Sequence, residues 1–356
     1  MKESHKDGDN ALNAMPGSAA ATLTETPDET TPPEPTEKQV RTGRSPGQVA
    51  WDRLKKDKVA IVCATIIIFF ILVAIFAPLL TKLEAVDPIT KAAADPYTIH
   101  TELVDVNGLP TVGMSSAHFL GVEPRLGRDL FARWAYGAQP SLIIGFVAAT
   151  VSTFLGVALG LLAGYLGGAT DRVISWVIDF FLSLPILLLI IAIVPLVQKS
   201  VAGNADLTND QTSQIRFVVL ICVLFVFGWM GLARLVRGEV TSLREREFVQ
   251  AARAIGVPTR QILFKEVLPN LVGPIIVSAS IAVPAYITYE ATLSYLGVGL
   301  VEPTASWGRT IADAQNLFAT YPLWLWPSVI GLSALVLALT LLGDSIRDAF
   351  DPSSRR

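Results

Sequence analysis

Apolar positions in this chain gather into six long blocks separated by shorter polar stretches, at about 59–80, 141–165, 173–197, 217–235, 271–296 and 323–342. Roughly 20 mostly apolar residues in a helix cross the hydrocarbon of a bilayer, and each block is near that length. The pattern predicts an all-α membrane protein whose six transmembrane helices occupy 49–350. Ahead of them, residues 1–48 are rich in Pro, Thr, Glu and Asp and poor in large aliphatic side chains. Such a stretch buries too little surface to offset the entropy of ordering, which predicts a disordered tail.

Between the fourth and fifth blocks the pattern changes. Phe248, Ala251, Ala252 and Ile255 recur at i, i+3, i+4 and i+7, a narrow apolar stripe on a helix that otherwise carries Arg246, Gln250 and Arg253. Gly256 stands where a helix ends in a left-handed residue, and Pro258 can begin a second helix. That second helix, over about 258–268, places Leu263 and Val267 four apart, and Pro269 is expected to close it before the fifth span. Two readings of the pair stand. It docks on a protein partner, or it lies on the membrane with Arg244, Arg246, Arg253 and Arg260 meeting anionic lipid. The interspersed Glu245, Glu247 and Glu266 and the small alanines favour the first.

Composition agrees with the membrane reading: 51% of the 356 residues are apolar, 17% are charged, and mean hydropathy is +0.50. The basic residues orient the spans. Lys38, Arg41, Arg44, Arg53, Lys55, Lys56 and Lys58 precede the first span, and Arg237, Arg244, Arg246, Arg253, Arg260 and Lys265 lie between the fourth and fifth. Both regions are expected in the cytoplasm, with the N-terminus and the C-terminal 351–356, while 83–137, 198–214 and 299–322 face outside. The tail lacks the apolar core of a signal peptide, so the first span is expected to remain as an anchor. Cys63 and Cys222 fall inside spans, and His5, His100 and His118 are scattered, so no disulfide framework or metal site is expected. No phosphate loop and no hydrolytic constellation occur, and no nucleic-acid partner is expected.

Three ordered motifs carry a family resemblance. Ala251-Ala252, three residues, Gly256, nine residues and then Glu266-Val-Leu268-Pro269 resembles the EAA loop of bacterial binding-protein-dependent ABC importer permeases. Gly121-Val-Glu-Pro-Arg-Leu-Gly-Arg-Asp-Leu-Phe-Ala-Arg133 with Tyr136-Gly-Ala is similar to the segment before the second span in their peptide and nickel branch. Leu293-Ser-Tyr-Leu-Gly-Val-Gly299, Pro303 and Ser306-Trp-Gly308 is similar to the signature after the fifth span of that branch. The resemblance covers about 50–350 and implies the C-type subunit, with a type I ABC importer permease architecture and a cytoplasmic coupling-helix pair within 238–269. It also implies that Glu247, Gln250, Ala251, Ala252, Gly256, Leu268 and Pro269 couple to ATPases. Gln250 and Glu266 depart from the family, which commonly has Glu and Ile there. Val122 and Glu123 replace the usual Thr and Asp and are assigned no role.

The implied partners are a second, homologous permease subunit, two ATP-binding subunits that hold ATP and Mg, an extracytoplasmic substrate-binding protein, and the lipid bilayer. The chain itself is expected to be a translocation subunit without a cofactor, carrying di- or oligopeptides. A nickel chelate is the alternative cargo, and a proton-coupled secondary transporter using Asp179 or Glu290 is a different class.

Finer marks lie within the spans. Ser152, Gly156, Gly160 and Gly164 repeat every four residues, a small-residue face for close helix packing either inside the subunit or across a dimer. Pro185 and Pro195 in span three, and Pro274 and Pro284 in span five, favour kinks. Asp179 and Glu290 are ionisable groups at membrane depth and hence pathway candidates. Their alternatives are structural: Asp179 hydrated or paired with Arg172 near the cytoplasmic end, and Glu290 bracing the bend near Tyr289. The outer segment has only short apolar runs such as 103–106, too little to predict a domain.

Overall fold

In a computed structural model that describes residues 46–203 and 207–351, every named element is helical, and the β pairing among those residues is limited to two isolated bridges. Of the expected tail 1–48, residues 1–45 lie outside the described residues, as do 352–356, while 46–48 are helical, not disordered, and begin the first helix. Helix α1 (Pro46–Leu54) leads to α2 (Lys58–Leu80), which opens where the Asp57 carboxylate accepts the Val59 amide at 2.9 Å. The second span is longer than the apolar block. Helix α3 (Leu130–Leu166) starts at Leu130 because the Asp129 carboxylate caps the Ala132 amide at 2.7 Å, and Pro140 is carried inside it. The expected outer loop 83–137 therefore ends at Asp129.

The third block is not one straight helix. Helices α4 (Gly168–Leu182) and α5 (Ile186–Ala202) meet at 92° across 183–185. Pro185 has no amide hydrogen and crowds Leu184 out of helical geometry, while the Ser183 hydroxyl turns back onto the Phe180 carbonyl at 2.7 Å. The fourth span also runs past its apolar block, as α6 (Asn209–Gly228) and α7 (Met230–Arg244), interrupted at Trp229. Five helices or unbroken pairs are long and apolar enough to cross a membrane, and the bent pair brings the number to six among the described residues.

The pair between the fourth and fifth spans is α8 (Glu247–Ala254) and α9 (Thr259–Ile262), and here Pro269 does not do what its position suggests. Helix α9 continues through a π turn at Leu263–Val267 into α10 (Leu268–Tyr295). The Leu268 amide reaches back to the Leu263 carbonyl, five residues away, and Pro269, which has no amide to donate, follows it within the continuing helix. Helices α11 (Trp307–Ala314) and α12 (Pro322–Phe350) complete the chain. Arg53 of α1 donates to the Ala349 and Asp351 carbonyls at 3.2 and 3.1 Å, tying α1 to the end of α12.

The small-residue face of α3 packs inside the subunit. A Cβ on Gly160 would lie 2.7 Å from both the Ala233 carbonyl oxygen and Val236 Cβ, and one on Gly164 equally close to the Arg237 oxygen and Val240 Cβ, so α3 and α7 touch backbone to backbone. Gly156 faces the Trp229 carbonyl in the same row, and the Ser152 hydroxyl accepts from Tyr286 Oη of α10 at 2.8 Å. Arg244 then caps the end of α3, reaching the Gly164 and Tyr165 carbonyls at 3.4 and 3.5 Å.

Residues 84–129 form a folded cap, not an open loop. Arg128 and Arg133 are buried between Glu123 and Glu302, with Arg128 at 2.7 Å from each carboxylate and Arg133 at 3.2 and 3.0 Å. Glu123, to which the motif comparison assigns nothing, is thus the buried centre of a four-charge network joining the cap to the segment after α10. Beside it the buried His118 ring bridges Asp129 at 2.7 Å and Asp87 at 3.0 Å, and the buried Glu84 carboxylate accepts the Phe119 amide at 2.5 Å.

Candidate functional site

The turn between α8 and α9 is determined by local chemistry. The Val257 amide bonds the Ala252 carbonyl and the Gly256 amide the Arg253 carbonyl, both at 3.0 Å, and Gly256 adopts φ +79°. This is a Schellman ending, whose left-handed residue is glycine because a Cβ there strains the backbone. Nothing else crowds Gly256 within 4 Å, so the requirement is conformational and not steric packing.

One side of the pair is mounted on the spans. Val249, Ile262 and Val267 are buried with Leu161 and Tyr165 of α3, Val236 and Val240 of α7, and Leu271 of α10, with Ala252 packed beside them. Arg253 lies 4.6 Å over the Tyr165 ring and donates to its hydroxyl at 3.2 Å, a cation–π clamp at the foot of α3. Val249 and Arg253 were not legible as anchors. The signal for Val249 was an apolar residue just off the Phe248 stripe, matched by Ile262 and Val267.

The other side is open. Phe248 is 42% and Ile255 80% exposed, with Ala251 between them also exposed, and Phe264 of the π turn is 57% exposed. Glu247, Gln250 and Pro269 are exposed as well, while Leu268 is half-buried against the cluster. The Gln250 amide group turns back to the Glu245 carbonyl at 3.2 Å. The structure therefore brings Glu247, Gln250, Ala251 and Gly256 to one accessible surface, and splits Ala252 and Leu268 from them onto the mounting side. An apolar ridge exposed on a polar helix pair suits a partner groove.

The two ionisable pathway candidates are placed apart. Glu290 is fully buried: Ser141 donates to one carboxylate oxygen at 2.6 Å, and Ser294 and Ser306 donate to the other at 2.9 and 3.0 Å. Ser294 also receives the Leu300 amide at 3.0 Å, so this carboxylate organises the turn between α10 and α11 and faces protein on every side, away from any opening. Asp179 is exposed and pairs with Arg234 of α7 at 2.5 Å, not with Arg172. About two turns earlier on α4, Asp171 takes Arg237 in two hydrogen bonds, the second at 2.9 Å, and the two pairs stitch α4 to α7.

Known families match this chain along most of its length. The family described as the binding-protein-dependent transport system inner membrane component matches residues 156–356, and the N-terminal TM domain of oligopeptide transport permease C matches residues 45–99. The chain belongs to the first of these families. This permease subunit is 36% identical to the dipeptide transport system permease protein DppC of Alkalihalophilus pseudofirmus over 93% of its own length and 96% of that protein's. It is 40% identical to the oligopeptide transport system permease protein OppC of Mycobacterium tuberculosis, over 67% of this chain and 77% of the other. The glutathione transport system permease protein GsiD of Pectobacterium atrosepticum is 32% identical over 87% and 92%. Among solved structures, an inward-facing MetNI methionine ABC transporter chain aligns at TM-score 0.48 and 20% identity, over 62% of this permease and 96% of that chain. This chain is thus a multi-pass inner-membrane transport subunit.

Proposed function

We propose that this permease subunit carries di- or oligopeptides inward as half of an ATP-driven importer, paired with a homologous second permease, two ATP-binding subunits and an extracytoplasmic substrate-binding protein. The names of the dipeptide and oligopeptide relatives support the cargo. ATP and Mg belong to the partner subunits in this reading, and the basic flanks support cytoplasmic termini.

The observation that carries the mechanism is the open ridge Phe248, Ala251 and Ile255, held by the Gly256 turn and mounted through Val249 on α3, α7 and α10. A partner that closes on nucleotide pulls this ridge. Because α9 is continuous with α10 through the π turn, and α7 leads into α8 within three residues, the displacement passes into two spans without a flexible linker. Binding energy at the ATPase then shifts the cavity between outward and inward forms.

The test uses the assembled complex in proteoliposomes. Replacing both Phe248 and Ile255 with Asp adds charge at exposed positions, so the subunit is expected to fold and reach the membrane. Peptide-stimulated ATP hydrolysis and peptide uptake should fall more than about tenfold, the loss expected when two apolar anchors leave a groove. Normal stimulation in the double variant would overturn the coupling role. Uptake of a nickel chelate and not of peptides by the unaltered complex would overturn the cargo.

A further inference from the structure

Two spans lose helical continuity around one cavity, and a third carries a proline within its helix there. The break at 183–185 between α4 and α5, the break at Trp229 between α6 and α7, and the middle of α10 around Pro284 all border a cavity of about 380 Å³. The two breaks lie near the centres of their spans. Lipid cannot hydrogen-bond the peptide groups that such interruptions free, so irregular backbone at that depth belongs inside protein or beside a water-filled path.

The cavity has one organised wall. Ser278, Ala282, Ala285 and Tyr289 follow at i, i+4, i+7 and i+11 along α10, so small residues and two hydroxyls share a face. Neither hydroxyl has a hydrogen-bond partner among the described residues, although a polar group left without one in the membrane carries a cost. Opposite them stand apolar groups such as Leu184 of the break, and no charged side chain lines the space. Its end is rigid: a Cβ on Gly228 would lie 1.7 Å from Tyr286 Oη, so that ring is wedged at the end of α6, and its hydroxyl is anchored on Ser152 of α3. Glu290, one residue beyond Tyr289, turns the other way into its serine cage and leaves the wall neutral.

We infer that this cavity is the substrate-conducting surface of the subunit, with Ser278 and Tyr289 meeting main-chain amides of the cargo and Ala282 and Ala285 leaving room for its apolar side chains. The inference rests on the reading of the chain as a peptide importer subunit and names the residues that sort peptides by bulk. A neutral wall with two free hydroxyls suits a peptide backbone, and does not suit a multiply charged chelate, which needs counter-charges when desolvated.

The experiment takes the complete complex in proteoliposomes and measures uptake of tri-alanine and tri-phenylalanine side by side. Ala285→Phe fills the cavity. Uptake of tri-phenylalanine should fall at least about tenfold, in the range a pocket gives for a few apolar carbons, with tri-alanine changed less than about twofold. An equal change in both, or none in either, overturns the inference. Tyr289→Phe keeps the ring and removes the hydroxyl, and uptake of both peptides should fall about fivefold, the worth of one hydrogen bond. Full uptake in that variant also overturns it. Failure of the cargo reading is visible separately, as absence of uptake of either peptide by the unaltered complex. In that event labelling decides: a cysteine at Ser278, with Cys222 replaced by Ala, should react with a water-soluble maleimide in the membrane. A silent cysteine there overturns the conducting surface whatever the cargo.

Discussion

Substituting Gly160 by Ala tests the claim that the α3 and α7 backbones touch. The added Cβ would lie 2.7 Å from the Ala233 carbonyl oxygen, 2.7 Å from Val236 Cβ and 2.9 Å from Val236 Cγ1. A carbonyl oxygen held in a helix cannot rotate aside, so α7 must retreat by several tenths of an ångström and the neighbouring contacts at Gly156 and Gly164 loosen with it. Overpacking of this kind costs about 1–3 kcal/mol. Gly238 on α7 supplies the control, since nothing lies within 4 Å of its Cβ position. Any gain from replacing a helical glycine, at most about 1 kcal/mol, is common to both variants and cancels in the comparison. The difference between them should therefore be about 1–3 kcal/mol. In detergent, followed by the fraction remaining monodisperse after heating, Gly160→Ala should melt several degrees below Gly238→Ala, at roughly 2–4 °C per kcal/mol. Equal melting of the two variants would refute the close approach and return the small-residue face to a partner outside the subunit.

The cap formed by residues 84–129 should be pH-sensitive. Burial, only partly offset by the Phe119 amide, pushes the Glu84 carboxyl up to about 7, and Asp129 and Asp87 raise His118 above its ordinary value against the opposing effect of its burial. Both groups hold more protons folded than unfolded, so their contribution is present at low pH and is lost as pH rises through the folded values. Asp87 has the opposite sign: its burial is outweighed by the Thr90 and Ile89 amides, so its carboxyl is held below the usual range, and its contribution is lost as pH falls through that value. Hydrogen-exchange protection of 84–129 should fall between pH 5.5 and 8, and Glu84→Gln should flatten that decline; an undiminished slope in the variant would contradict the assignment. Removing one charge from the Glu123 network should be costly, because Arg133→Met leaves Glu123 and Glu302 facing each other with Arg128 alone to neutralise them. The loss is expected at about 3–5 kcal/mol and is read as a drop in the yield of folded protein. The single change Glu302→Gln, at the one partly exposed member, should cost clearly less, and the reverse ranking would refute the geometry.

Span number and the helix-turn-helix of α8 and α9 are legible in the chain because both depend on near neighbours. A run of about 20 apolar residues sets a span whatever surrounds it. Gly256 ends α8 by its own backbone freedom, and the motif around it was enough to place Glu247, Gln250 and Ala251 at an exposed surface. Prolines show the limit of that locality. Pro140, Pro195, Pro274 and Pro284 all remain inside helices, whereas Pro185 breaks one, and Pro269 is absorbed by a π turn. Whether a missing amide kinks or breaks a helix depends on what can satisfy the freed carbonyl nearby, which sequence spacing does not contain.

What only the tertiary structure decided follows the same division. The face of α3 was visible as Ser152, Gly156, Gly160 and Gly164, but its partner α7 was not, since a small-residue stripe states how near a neighbour comes and not which one it is. Glu290 read as a charge at membrane depth until Ser141, 149 residues away, and Ser294 and Ser306 enclosed it. Arg128 meets Glu302 across 174 residues, and no local pattern announces such a pair. The sequence by itself determined which segments are long and apolar enough to cross a membrane and which one interrupts them as a polar helix pair, because length, hydropathy and turn chemistry act over a few residues. The fold decided which polar groups are walled in and which face an open cavity, because desolvation is a property of everything packed around a group and is set only when distant parts of the chain meet.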